Sequence, residues 1–168
     1  MEKIAAILVA SDSRSEGSRT ELVVPAALKA LESIGIGVLE SAVVPDERDA
    51  LVSKLKEWSE REDICLVFTS GGTGLAPRDV TPEATREVIE REAPGIAEML
   101  RMKSLEITPH AALSRGIAGV SNRTLIVNLP GSPKAVVESI QFLARLLPHA
   151  IETVSGRAVE CASTEKTK

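Results

Sequence analysis

Two aspartates and three loops of small residues carry the chemistry available to this chain. Asp46 follows Pro45 and precedes Glu47, and Asp79 stands in Arg78-Asp79-Val80-Thr81-Pro82-Glu83. Alone, Asp46 reads as a helix N-cap. Asp79 has less of that excuse, because Thr81 already reads as the N-cap, with Pro82 at the first helical position. Together the two carboxylates sit beside phosphate-type loops and make a hard-cation site, since Mg²⁺ is typically held by one or two carboxylates plus substrate phosphates. The first loop, Thr69-Ser70-Gly71-Gly72-Thr73-Gly74, is rich enough in glycine for positive φ angles and for close approach of backbone N–H groups to an anion. A tight strand-to-loop turn would use the same residues. It is not a P-loop, lacking Gly-Lys-Ser/Thr, and Pro77 stands where a dinucleotide fingerprint needs Gly or Ala. The second loop is Leu129-Pro130-Gly131-Ser132-Pro133-Lys134, where Ser132 and Pro133 satisfy ordinary helix-start rules. Lys134 opposes the helix dipole, and phosphate binding at the helix start accounts for it where capping does not. The third, Ser11-Asp12-Ser13-Arg14 through Arg19, offers hydroxyls and two guanidinium groups to a phosphate or polar heterocycle, or is simply a solvated loop. His110 and His149 lack partners at ligand spacing and read as surface or structural residues. No Gly-x-Ser-x-Gly elbow supports a hydrolase triad.

The elements that must hold these loops alternate. Lys3–Ala10, Gly37–Val44, Asp63–Thr69 and Thr124–Asn128 read as strands, and the unbroken apolarity of Ile4–Ala10 predicts a strand covered on both faces. Helical spacing places Val24, Leu28 and Leu31 on one face, then Leu51, Leu55 and Trp58. Val136, Val137, Ile140, Leu143, Ala144 and Leu147 form a third stripe in one long helix. Thr81 onward predicts a helix broken at Ala93-Pro94-Gly95, a second over Ile96–Leu105 and a short one near His110–Ser114. Ile117–Val120 then turns through Ser121-Asn122-Arg123 into the last strand as a hairpin. The fold class is α/β, a three-layer sandwich around a mostly parallel sheet with one antiparallel edge strand. In such sheets ligands bind beyond the carboxyl ends of the strands, where the loops above fall.

Composition narrows the functions. With 168 residues the chain reads as one domain over 1–155, followed by a loose tail over 156–168. One Trp, two Phe and no Tyr cannot build a base-stacking platform, and a net charge of −4 argues against diffuse binding to nucleic acid. Cys65 reads as a buried hydrophobe and Cys161 as an incidental thiol of the tail. No apolar run approaches a membrane span, and Glu2 and Ser11-Asp12 flank the first apolar run too closely for a signal peptide, so a soluble, cytoplasmic protein is expected.

In order along the chain, Thr69–Gly74, Arg78-Asp79-Val80-Thr81-Pro82-Glu83-Ala84, Pro94-Gly95-Ile96-Ala97-Glu98, Leu113-Ser114-Arg115 and Leu129–Lys134 resemble the MogA/MoaB family of molybdenum cofactor biosynthesis. The likeness runs from about Lys3 to about Thr153, and Pro45-Asp46-Glu47 matches the segment that carries one functional aspartate. The resemblance implies a MogA-like fold and a molybdopterin adenylyltransferase that uses ATP and Mg²⁺ and releases pyrophosphate. It assigns Asp46 and Asp79 to catalysis and to the metal. It assigns Ser11, Asp12, Ser13, Ser70, Gly71, Gly72, Thr73, Gly74, Glu98, Ser114, Pro130, Gly131, Ser132 and Lys134 to the substrate cleft. It further implies a homotrimer, or a hexamer as in the MoaB branch, and hand-over of the product to a metal-insertion protein. Two other activities fit the same domain: a MoaB-type molybdopterin binder without turnover, and a nucleotide pyrophosphatase. One departure stands out. Many relatives carry Asp-x-Ser-Gly at the start of the first helix, where this chain has Glu21-Leu22-Val23-Val24 before Pro25.

Overall fold

The computed structural model describes residues 3–18 and 20–156. Arg19, Cys161 and the expected tail from 157 onward lie outside the described residues. A six-stranded sheet has the order β2-β1-β3-β6-β5-β4. Its parallel part is β2 (Gly37–Val44), β1 (Lys3–Ala10), β3 (Leu66–Ser70) and β6 (Thr124–Leu129). β5 (Ala118–Ser121) pairs antiparallel with β6 through the expected hairpin, where Asn122 takes a positive φ of 50°. Beyond β5 lies a strand that the sequence does not announce, β4 (Arg91–Glu92), also antiparallel. It follows that β5 is one place in from the edge.

The hydrophobic pattern of each strand matches its place. Ala5 to Ala10 are all buried, because β1 is central and covered on both faces, whereas the edge strand β2 alternates. One face carries α2 (Val23–Ser33) and α6 (Pro133–Leu143) packed on Ala5, Ile7 and Val9. The other carries α3 (Arg48–Ser59) and α4 (Thr81–Val88) packed on Ala6, Leu8 and Ala10. The buried stripe of α3 is Leu51, Leu55 and Trp58 as its spacing predicts, with Trp58 fully enclosed. In α2 the stripe is Val23, Ala27, Ala30 and Leu31, with Val24 and Leu28 at its margin. The long helix expected over Val136–Leu147 is two helices: α6 ends at Leu143, and Leu147 opens α7 (Leu147–Val154). Pro148 accounts for the break, since it has no N–H to donate to the Ala144 carbonyl one turn back, while its fixed φ suits the first turn of the next helix. α5 (Pro94–Leu105) and a 3-10 turn at Pro109–Leu113 cover the antiparallel end, and a single turn, α1 (Asp12–Ser15), follows β1.

Candidate active site

Because β2, β1, β3 and β6 are parallel neighbours, their carboxyl ends bring four loops side by side. Asp46 lies past β2, Ser11–Ser13 past β1, Gly71–Gly74 past β3, whose last residue is Ser70, and Pro130–Lys134 past β6. β1 feeds β2 on one side and its neighbour β3 lies on the other, so the crevice opens where the strand order reverses.

The glycine loop is held tightly. The Ser70 hydroxyl donates to the Pro130 carbonyl at 2.7 Å, tying two of the loops together. Gly71 has φ +98°, and a Cβ there would stand 2.4 Å from the Ala10 carbonyl oxygen. A backbone oxygen at the end of a central strand cannot retreat, so we expect Gly71→Ala to cost about 2 kcal/mol or more, adding steric overlap to a left-handed φ. Urea unfolding at unchanged m-value measures it, and a loss under about 0.5 kcal/mol would show that the loop is free to move.

On one side of this loop the carboxylates gather. Asp12 and Asp46 brace each other reciprocally: the Asp12 N–H donates to Asp46 Oδ2 and the Asp46 N–H to Asp12 Oδ1, both at 3.0 Å. Asp46 therefore does not cap α3. That position belongs to Glu47, whose side chain makes no capping bond either. Arg78 forks onto Asp12 at 2.7 to 3.0 Å. Its guanidinium holds the Asp12 carboxyl below its usual range, helped by the bond to the Asp46 backbone. Burial pushes Asp46 the other way, upward, and the negative charges of Asp12 and Asp79 add to the effect. Asp79 accepts the Ala76 N–H at 2.9 Å and so shapes its own loop. Arg115 braces that loop from beneath by donating to the Gly74 and Asp79 carbonyls and to Glu83.

Thr81 also departs from expectation. Val80 is the N-cap of α4, and the Thr81 hydroxyl is fully buried without a partner among the described residues. It faces Gly72, where a Cβ would lie 2.4 Å from Thr81 Oγ1 and 3.4 Å from Asp46 Oδ1. The free Asp46 carboxylate oxygen beside this orphaned hydroxyl is a hard donor of the kind Mg²⁺ takes. Among the described residues no three His, Cys, Asp or Glu side chains form a metal cage, so these residues fit a cation shared with substrate phosphates rather than one enclosed by protein.

On the other side lies a pocket of about 280 Å³, close to the lower bound for small-molecule sites. It takes Thr73 and Gly74 from the glycine loop, Ser114, Asn128, Pro130 and Gly131 from the neighbouring segments, and Ala97, Leu100 and Arg101 from α5. No Phe or Trp lines it. Ser132 caps α6 as expected, accepting the Ala135 N–H at 3.2 Å. Lys134 is 82% exposed and leans toward Glu138, 3.7 Å away. Glu98 is exposed on α5 and does not line this pocket. Arg78, Thr81, Arg115 and Asn128 are participants that residue-by-residue reading misses, although the first three fall inside the quoted motifs. The departure at the first helix also resolves: Glu21 accepts the N–H groups of Val23 and Val24, so its carboxylate caps α2.

Fold and site together define a class: a doubly covered α/β domain whose glycine loop separates a carboxylate cluster from an apolar pocket. The chain belongs to the MoCF_biosynth family, whose model, described as "Probable molybdopterin binding domain", matches residues 6–149. A molybdopterin adenylyltransferase of Helicobacter pylori is 38% identical over 156 residues, which cover 92% of this chain and 89% of that protein. The molybdenum cofactor synthesis protein cinnamon of Drosophila melanogaster is 49% identical over 112 residues, 67% of this chain; the match spans 19% of that much longer protein. Among solved structures, the molybdopterin biosynthesis enzyme MoaB of Thermus thermophilus has 47% identity and a TM-score of 0.86, covering 92% of this chain and 97% of that one. The MogA/MoaB resemblance and the α/β architecture expected from the motifs therefore hold.

Proposed function

We propose that this chain is a molybdopterin adenylyltransferase, acting with ATP and Mg²⁺ in molybdenum cofactor biosynthesis. The carrying observation is the position of the Ser70–Gly74 loop, with carboxylates at one end and a ring-sized apolar pocket at the other. A relative matched over 92% of the chain bears that enzyme's name. In the reaction, a terminal phosphate oxygen of molybdopterin bonds to the α-phosphorus of ATP. The bond from that phosphorus to the bridging oxygen of the β-phosphate breaks, and pyrophosphate leaves. The nucleophile is anionic at neutral pH, so no side chain need remove a proton, in keeping with a cleft whose histidine, His110, stands at the pocket rather than among the carboxylates. Asp46 and Asp79 would hold the cation, which when bound supplies charge neutralisation on the polyphosphate. Backbone N–H groups of the glycine loop and of the Gly131–Ser132 turn orient the two phosphates, and Ser114 and Asn128 border the pterin end. Ser11, Asp12 and Ser13 form the far wall, with Arg78 as its cation.

The same reading carries a cytoplasmic homotrimer, or a hexamer, that passes its product to a metal-insertion protein. Met102 and Leu105 on α5, both about half exposed or more and outside the pocket, support a covered surface of that kind. Among the described residues no helix is long and apolar enough to cross a membrane. A second reading, binding without turnover, is favoured by Glu21, whose carboxylate occupies the first N–H groups of α2. Incubation with molybdopterin and Mg-ATP tests the choice. Pterin-dependent pyrophosphate, one per adenylylated pterin, is expected. Tight pterin binding with no pyrophosphate would leave the binder, and nucleotide hydrolysis without pterin would favour a pyrophosphatase.

A further inference from the structure

Asp46 uses one carboxylate oxygen structurally. Oδ2 takes the Asp12 N–H, while among the described residues no hydrogen bond reaches Oδ1. Thr81 presents the complementary deficit, a fully buried hydroxyl with no partner. Both atoms face the vacant side of the Gly72 α-carbon, at 2.4 and 3.4 Å from where a side chain would begin. Orphaned buried hydroxyls are uncommon enough to need a reason, and packing does not give one here, since valine would fill the same volume without the desolvation penalty. The backbone already anchors this residue, because the Thr81 N–H donates to the Gly72 carbonyl at 3.1 Å. The hydroxyl is therefore dispensable for holding the helix start. Carboxylates that ligate a cation are themselves steadied by hydrogen-bond donors behind them.

We propose that Thr81 is a positioning residue for Asp46, its hydroxyl fixing the free carboxylate oxygen when the site carries a divalent cation and a polyphosphate. This rests on the adenylyltransferase reading above. Gly72 is the necessary companion, since a Cβ there would overlap the Thr81 hydroxyl and press on the free Asp46 oxygen. The arrangement trades stability for function: the hydroxyl is a burden to the fold alone and a donor to the loaded site.

The test uses the full chain, Mn²⁺ as the probe cation and an ATP analogue with a carbon bridge between the α- and β-phosphates. Mn²⁺ affinity in the presence of the analogue is read by electron paramagnetic resonance. Thr81→Val is expected to weaken it about 10- to 100-fold, the range typical of lost outer partners of metal ligands. Its melting temperature should equal or exceed that of the parent, and Thr81→Ser should restore affinity to within about threefold, since it keeps the donor. Parental affinity in Thr81→Val overturns the inference and leaves the adenylyltransferase reading standing. So does a Thr81→Val protein that melts much lower or fails to fold, because the hydroxyl would then be scaffold. Absence of Mn²⁺-analogue binding in the parent overturns the inference and the reading together.

Discussion

Asp46→Asn is expected to lower pyrophosphate release about 10²- to 10³-fold, the scale seen when one electrostatic group is removed from a site that neutralises developing charge. The same variant should melt no lower than the parent at pH 7. The Asn side-chain oxygen can keep the Asp12 N–H that now reaches Oδ2, so the reciprocal brace survives. What disappears is a charge the fold resists. Burial, with Asp12 and Asp79 nearby, raises the Asp46 pKa in the folded protein above that of the unfolded chain, about 3.9. Between those two values the folded state holds more protons. This group's contribution to stability is therefore full below the unfolded value and is lost as pH rises through the folded one. At neutral pH ionised Asp46 is a net burden, and Asn removes it. The advantage of the variant in melting temperature should shrink as pH falls toward 4 and the parent regains its proton. Because a cation needs the ionised form, cation affinity of the free protein should fall on the acid side earlier than an unperturbed aspartate would allow. A variant that loses turnover and melts well below the parent would make Asp46 a scaffold residue and sink the assignment.

The second large effect is on stability. Asn128 in β6 donates to the Thr69 hydroxyl at 2.9 Å and to the Thr85 hydroxyl at 2.8 Å, and accepts the Ile117 N–H at 3.2 Å. Asn128 is 4% exposed, and both threonines are fully buried. One side chain thus joins β3, β6, α4 and the segment leading into β5. Asn128→Ala strands two hydroxyls and a backbone N–H in the interior and leaves a void. Each orphan costs about 1–3 kcal/mol, so a loss of about 3–5 kcal/mol is expected. That is a large share of a typical 5–15 kcal/mol. Adding Thr69→Val and Thr85→Val to the Ala variant should recover part of the loss, because orphans rather than contacts dominate it. Denaturant midpoints decide the matter. If the triple variant is no better than Asn128→Ala, the cost lies in the void and the hub is ordinary packing.

Much of this architecture can be read from residue types, and the misses share one cause. β1, β2 and β6 show themselves because burial on one or both faces dictates their apolar pattern directly. Ser132 and Pro133 start α6 by local rules and are found doing so. β4 has no pattern of its own: its two charged residues pair because Glu90 and Ala93 donate to Val120 and Ala118. Thr81 and Asp46 look like caps in their own neighbourhoods, but residues of other loops claim them: the Thr81 N–H goes to Gly72, and the Asp46 carboxylate takes the Asp12 N–H. Arg78 next to Asp79 invites a local pairing, yet its fork goes to Asp12. Local rules identify residues able to cap or pair; the sheet order decides which of them meet. The candidate site was visible as a set of loops, and its internal wiring was not.

The enclosure of Trp58 has a spectroscopic consequence. It is the sole tryptophan, with no tyrosine beside it, and it lies beneath α3, on the sheet face away from the apolar pocket. Intrinsic emission will therefore report the integrity of that layer. The near-ultraviolet absorbance of the protein, carried almost entirely by one indole, is weak beside that of a bound pterin or adenine. Titrations are best followed from the ligand's own absorption and fluorescence, with tryptophan emission kept as the simultaneous monitor of folding.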